Sequence, residues 1–145
     1  MICIDTTVLI DEFRAAGDAG APVNKAMLKH GAEALIVPVA AAGEFFDGAA
    51  MVSEERVQEA LTLLRARTVV SANLDVAEHY GRITTHLRRK KLLSGRSHND
   101  LWIAATARAN GARLLTRNGE DFEEIPGLEV LTYGAKTISR RKGSG

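Results

Sequence analysis

Four acidic residues stand out because each one lies at or near the end of a short apolar run or at the start of a helical pattern. Asp5 comes directly after the apolar run 2–4, and Glu44 lies in a stretch made almost entirely of alanine and phenylalanine. Asp100 opens a helical pattern, and Asp121 follows the fourth apolar run by five residues. Carboxylates that converge repel one another unless a proton or a cation stands among them. Oxygen ligands of this kind suit Mg²⁺ or Mn²⁺, and such ions support hydrolysis of phosphodiesters.

Each acid also has a purely structural explanation. Asp5 can cap a helix that starts near Thr6, and Asp100 can occupy a helix first turn, where negative charge is favourable. Asp121 stands in a segment with turn chemistry. Glu44 is the hardest to explain in this way, since a carboxylate among apolar residues is costly unless it is partnered or one helix edge faces water. The four acids together favour an acidic metal site.

The elements that must position these acids alternate between strand and helix. Short apolar runs predict five buried strands, at residues 2–4, 34–37, 68–70, 113–116 and 128–131. Helical spacing of apolar residues lies between them, and Pro22 and Gly111 suit a helix start and a helix stop. Alternation of this kind predicts one α/β domain with a central parallel sheet. Ligands bind beyond the carboxyl ends of such strands, which is where the acids fall.

Composition sets further bounds. With 46% hydrophobic and 26% charged residues in 145, the chain has the make-up of a folded globular protein. A net charge of +1 means that contact with nucleic acid would depend on local patches. The single cysteine, Cys3, excludes an intrachain disulfide. No leader or membrane-spanning run is evident, so a cytoplasmic location is expected. Residues 1–135 are expected to form the domain, and residues 136–145 a basic, flexible tail.

Three segments resemble the PIN-domain family, in particular its VapC-type toxins. The first is DTTVLID at residues 5–11, directly after the first strand. The second is NDLWIAATA at residues 99–107, and the third is LLTRNGEDF at residues 114–122, followed by IPGLEV at 125–130. Glu44 before two phenylalanines matches the family's acid on the helix after strand two. These motifs occur in the family's order and cover nearly the whole chain.

The resemblance implies a PIN-like three-layer α/β/α sandwich and a Mg²⁺- or Mn²⁺-dependent endoribonuclease. It also implies the toxin of a VapBC-type pair, neutralised by a small antitoxin, and a homodimer. Asp5 and Asp100 would then bind the metal directly, with Glu44 and Asp121 completing its shell directly or through water. Supporting residues that orient these carboxylates or the bound water would be Thr6, Thr116 and Asn118. In some relatives the fourth acid falls at the position of Asn118.

The resemblance leaves several alternatives open. A basic run precedes Asp100, and it fits a solvated helix end and a phosphate-binding rim about equally. Its members are Arg82, Arg88, Arg89, Lys90, Lys91 and Arg96. Arg96 and Arg117 are candidates for contact with RNA or the antitoxin. A catalytically silent PIN-like module that only binds RNA or protein is the alternative function. A phosphoacceptor receiver domain is disfavoured because the third predicted strand is followed by no acid.

Overall fold

The computed structural model describes residues 1–134, and the prediction of a basic tail over 136–145 lies outside them. The strands are β1 (Ile2–Ile4), β2 (Leu35–Pro38), β3 (Thr68–Val70), β4 (Arg113–Thr116) and β5 (Val130–Thr132). The helices are α1 (Thr6–Ala15), α2 (Pro22–Lys29), α3 (Val39–Ala50), α4 (Glu54–Arg65), α5 (Leu74–Arg89) and α6 (His98–Ala109). A 3₁₀ helix covers Gly119–Phe122.

The five strands form one parallel sheet in the order β3-β2-β1-β4-β5. The chain therefore runs outward from β1 to β3 on one side and returns to build β4 and β5 on the other. This reversal places a topological switch point at the carboxyl ends of β1 and β4, where the loops leave in opposite directions. Ile4 pairs with Leu115, so the residues that follow them, Asp5 and Thr116, come out side by side.

The core explains the placement of the helices. Strand β1 is buried along its whole length, as expected for a strand covered on both faces. In α5 the inward residues Val76, Ile83 and Leu87 follow helical spacing, and each is at most 1% exposed. The predicted three-layer α/β/α sandwich with about five parallel strands is thereby confirmed.

Three of the five predicted strands have the predicted bounds, and two are displaced. The second strand begins at Leu35 rather than at residue 34, and the fifth begins at Val130 rather than at residue 128. Gly127, three residues before the fifth strand, adopts a left-handed φ of +73° in the turn that precedes it. Within residues 1–134, no helix is both long enough and apolar enough to cross a membrane.

Candidate active site

Asp5 is held in place as the N-cap of α1, as its structural explanation predicted, and it also faces the candidate site. Its Oδ1 accepts hydrogen bonds from the Val8 amide at 3.2 Å and the Thr7 hydroxyl at 2.6 Å. Its Oδ2 accepts one from the Thr116 hydroxyl at 2.6 Å. Burial raises the pKa of Asp5, although the hydrogen bonds from Thr116, Thr7 and Val8 act in the opposite direction. The carboxylate is therefore fixed in orientation, and Oδ2 keeps a lone pair for another ligand.

Glu44 lies on the exposed edge of α3, so of the alternatives left open by the sequence it is the helix edge facing water that the structure shows. The apolar neighbours Ala41, Ala42 and Phe45 turn into the core instead. Glu44 is nevertheless partnered, since its Oε1 accepts the Thr6 hydroxyl at 2.5 Å and the Asn99 amide at 2.9 Å. Both donors hold the same oxygen, and Oε2 has no hydrogen-bond partner among residues 1–134. The side chain thus presents one free carboxylate oxygen at the sheet edge.

Asp100 shows that the four acids share one electrostatic environment. Its pKa is raised from 3.8 to about 7, first by burial and then by the negative charges of Asp121, Glu44 and Asp5. Asp100 occupies the first turn of α6, a turn that the Ser97 hydroxyl caps by accepting the Asp100 amide. Asp121 lies in the 3₁₀ helix, exposed, and has the largest charge effect on Asp100.

The carboxylates fit a hard divalent cation by donor type, but their side chains do not form a ready-made cage. Among residues 1–134, no group of three or more His, Cys, Asp or Glu side chains stands close enough to hold a metal ion. Burial contributes most to the raised pKa of Asp100, and repulsion from the three other acids adds to it. A cation at the sheet edge would offset that repulsion, which supports the fit. Oxygen donors without thiolate or paired imidazole suit Mg²⁺ or Mn²⁺.

The supporting residues expected from the sequence contact the acids in different ways. Thr116 is fully buried and donates to Asp5, while Thr6 donates to Glu44. Asn118 contributes its backbone amide, which donates to the Thr116 hydroxyl at 3.0 Å. No hydrogen bond from the Asn118 side chain to the acids is present in the described part of the chain. Whether these contacts serve catalysis stays a prediction.

Two further residues support the acids: Thr7, whose hydroxyl was expected to make a supporting hydrogen bond, and Asn99, whose role was missed from the sequence. Thr7 donates to Asp5 and accepts the Arg117 amide at 3.1 Å, which links α1 to the end of β4. Asn99 donates to Glu44 and also to the Ala40 carbonyl at 3.2 Å, which ties the first turn of α6 to α3. The signal for Asn99 was its position next to an acid. Nothing in the sequence, however, shows that its side chain reaches a different helix.

The two arginines singled out from the sequence both have protein partners. Arg96 donates from Nε to the Leu92 carbonyl at 2.9 Å and from Nη2 to the Glu123 carbonyl at 2.6 Å. Arg117 forms an ion pair with Asp11 at 2.7 Å while its side chain stays 43% exposed. Arg96 therefore braces a loop, and Arg117 is the more accessible of the two. Contact of either one with RNA or an antitoxin stays a prediction.

The aromatic residues near α6 pack rather than offer free faces. The ring of Trp102 stacks on Tyr80 with centroids 3.9 Å apart and planes 15° from parallel. The Tyr80 hydroxyl lies 2.9 Å from Nδ1 of His98 at the start of α6. Phe45 is buried and meets Phe13 edge to face at 5.6 Å. This stacking and hydrogen bonding hold α5 against α6 and keep the first turn of α6 in place.

The fold is α/β, and its acidic residues lie at the switch point of the sheet. Comparison with known proteins shows which family has this combination. The family model of the PIN domain matches residues 2–128. The chain therefore belongs to the PIN domain family. Ribonuclease VapC1 of Rickettsia felis is 39% identical over 69 residues, which are 48% of this chain and 50% of that protein. The chain thus matches about half the length of the curated relatives found.

Solved structures extend the similarity of fold to most of the chain. The crystal structure of VapBC2 from Rickettsia felis, bound to a DNA fragment from its promoter, matches with a TM-score of 0.77 at 23% identity. That match covers 92% of this chain and 100% of the solved chain. The DNA-bound VapBC from Salmonella typhimurium matches with a TM-score of 0.73 at 20% identity, over 90% of this chain and 96% of that one.

Proposed function

We propose that this protein is a Mg²⁺- or Mn²⁺-dependent endoribonuclease that acts as the toxin of a VapBC-type pair in the cytoplasm. The observation that carries the proposal is geometric: Asp100 and Asp121 line one groove, and Asn99, the residue before Asp100, donates a hydrogen bond to Glu44. Membership of the PIN domain family and the similarity to a ribonuclease VapC1 support the choice of RNA. A small antitoxin, a homodimer and a single domain over residues 1–135 belong to the same proposal.

In this mechanism Asp5 and Asp100 hold the ion, and Glu44 and Asp121 complete its shell directly or through water. When bound, the ion supplies an activated water and neutralises charge on the phosphodiester. The protein contributes orientation. The Thr7 and Thr116 hydroxyls fix the Asp5 carboxylate.

Glu44 and Asp100 depend on different parts of the fold for their positions. Thr6 and Asn99 fix one oxygen of Glu44, and no residue in the described part of the chain binds the other. The Ser97 cap sets the first turn of α6 and with it the position of Asp100. A supporting shell of this kind typically changes metal affinity or activity by about 10- to 100-fold when it is removed.

The experiment is cleavage of total bacterial RNA by the purified protein with Mn²⁺ and, separately, with EDTA. We expect Mn²⁺-dependent cleavage by wild type, and a loss of at least about 100-fold in Asp100→Asn and Glu44→Gln. Asp47→Asn is the matched control, since Asp47 is an exposed acid on the same helix as Glu44 and does not affect Asp100. It should cleave like wild type.

Absence of Mn²⁺-dependent cleavage by wild type would reject the nuclease. Binding of RNA without cleavage would then point to the silent PIN-like module. The toxin assignment has its own test, expression of the chain alone in a bacterial host. Wild type should arrest growth and Asp100→Asn should relieve the arrest, whereas equal arrest by both would contradict the proposed active site.

A further inference from the structure

One groove of the structure joins the acidic cluster to the basic end of α5. It has a volume of about 350 Å³, and three acids line it, Asp100, Glu120 and Asp121. The same groove is lined by Lys91 and by the loop that follows it, residues 94–96. A polymer bound at the acids can therefore continue along this groove toward Lys91.

The backbone at Lys91 is in an unusual conformation for a lysine. Helix α5 ends in a Schellman motif, in which the Leu92 amide donates to the Leu87 carbonyl at 2.7 Å and the Lys91 amide to the Arg88 carbonyl at 3.0 Å. The residue at the Lys91 position of this motif is left-handed and is usually glycine, because a Cβ is disfavoured there. Lys91 has a φ of +61°.

Electrostatics of the helix end do not explain this lysine. Cations near a helix C-terminus are favourable, but Arg88, Arg89 and Lys90 already supply three in the last turn and cap. The Lys91 side chain is exposed and has no hydrogen bond or ion pair with any of residues 1–134. Ala16 and Glu124 are also left-handed, but neither lines this groove. A side chain that costs backbone strain and makes no polar contact with the described residues is suited to an external ligand.

We propose that Lys91 binds a backbone phosphate of RNA next to the one at the acidic cluster. This inference deepens the proposed function and rests on it for the identity of the polymer. The second cation in the groove is Arg96. Its Nε and Nη2 donate to the Leu92 and Glu123 carbonyls, so Arg96 stabilises the loop that lines the groove. A phosphate chain in this groove passes the three carboxylates that line it and needs a cation to offset their repulsion. Lys91 is the groove cation whose side chain has no partner among residues 1–134.

The test uses full-length protein carrying Asp100→Asn in EDTA, so that binding is measured without cleavage. A short fluorescein-labelled single-stranded RNA is titrated at salt concentrations from about 50 to 200 mM. Lys91→Gly should weaken binding by about threefold at the lower salt and reduce the slope of log K against log salt by about 0.7. Its melting temperature should stay level or rise by up to about 4 °C, because glycine relieves the left-handed strain.

Three further variants separate the effect of the Lys91 charge from the effects of backbone strain and of losing any lysine. Lys91→Gln removes the charge but keeps the side chain, and it should lose affinity as Lys91→Gly does. Ala16→Gly relieves the same strain elsewhere, and Lys29→Gln removes a lysine at the end of α2 that does not line the groove. Neither should change RNA binding.

Unchanged RNA affinity and salt slope in both Lys91 variants would overturn the inference. A second result would also overturn it. If the Lys91 variants lost affinity for polyglutamate, an acidic polypeptide used in place of RNA, but kept their affinity for RNA, Lys91 would be assigned to a protein partner. The proposed function fails separately. Wild type that cleaves no RNA, combined with weaker RNA binding by Lys91→Gln, would reject the nuclease and keep the phosphate contact.

Discussion

Replacing Asp100 with asparagine should stabilise the metal-free protein, although it should abolish activity. The Asp100 carboxylate is half-buried and faces three other acids, so its pKa rises from 3.8 to about 7. Above pH 7 the Asp100 carboxylate is charged in both states. In the native state this charge is destabilised by burial and by repulsion from the other acids, whereas in the unfolded chain it is surrounded by water. An asparagine of the same shape carries no charge and avoids this cost.

The size of the effect follows from the change in pKa. A tenfold change in proton affinity corresponds to about 1.4 kcal/mol, so a rise from 3.8 to about 7 gives a ceiling of about 4 kcal/mol. Solvent screening reduces this for a group that is only partly buried, and we expect a gain of about 1–2 kcal/mol at pH 8. Loss of the favourable charge at the start of α6 offsets about 0.3–1 kcal/mol of it.

The pH dependence of the stability difference between Asp100→Asn and wild type tests the same explanation. Because the pKa of Asp100 is higher in the folded state, the native state binds the proton that the unfolded state has lost between pH 3.8 and about 7. Its contribution to stability is therefore fully present below pH 3.8 and is lost as pH rises through about 7. The advantage of Asp100→Asn should be largest at pH 8 and nearly vanish at pH 4.

Urea denaturation in EDTA at pH 8 and pH 4 measures this difference. Glu55→Gln is the control, since Glu55 is an exposed first-turn acid of α4 outside the cluster and should show only the small loss of a helix-terminal charge. A lower stability of Asp100→Asn than of wild type at pH 8 would refute the reasoning, because the helix terminus would then outweigh the repulsion. In saturating Mn²⁺ the order should invert, with wild type the more stable.

Three further outcomes follow from the same geometry. Thr116→Val should lower the free energy of unfolding by about 1–3 kcal/mol in urea titrations, because it removes a donor from the buried Asp5 carboxylate; an unchanged value would mean that the bond contributes nothing. Asn99→Ala should weaken Mn²⁺ binding by about tenfold in calorimetry while wild-type-like circular dichroism is kept, because Glu44 loses a fixing hydrogen bond. Burial raises the pKa of the Cys3 thiol, so a thiol reagent should label it in urea and not in the native protein. Fast labelling of the native protein would contradict the burial of this thiol.

Local patterns in the sequence were enough to predict most of the elements and to nominate three of the acids. Strand β1 could be placed because three apolar residues in a row directly precede a helix-capping aspartate, and capping is a local interaction. Helix α5 could be placed because its apolar residues repeat with the helical period. Asp5, Glu44 and Asp100 could be nominated from their positions relative to these elements, whereas the choice of Asp121 rested mainly on the resemblance to PIN domains.

How these elements pack against one another could be seen only in the folded structure. The order β3-β2-β1-β4-β5 puts β4 beside β1, and this pairing alone brings Thr116 to Asp5 across 111 positions of sequence. The sequence left open whether Glu44 faces apolar residues or water, and it is exposed, because the rotation of α3 against the sheet decides which edge faces water. The reach of Asn99 to α3 and the left-handed turn at Lys91 depend likewise on contacts between distant segments. Local patterns carry no information about such contacts, because many arrangements bury the same apolar faces equally well.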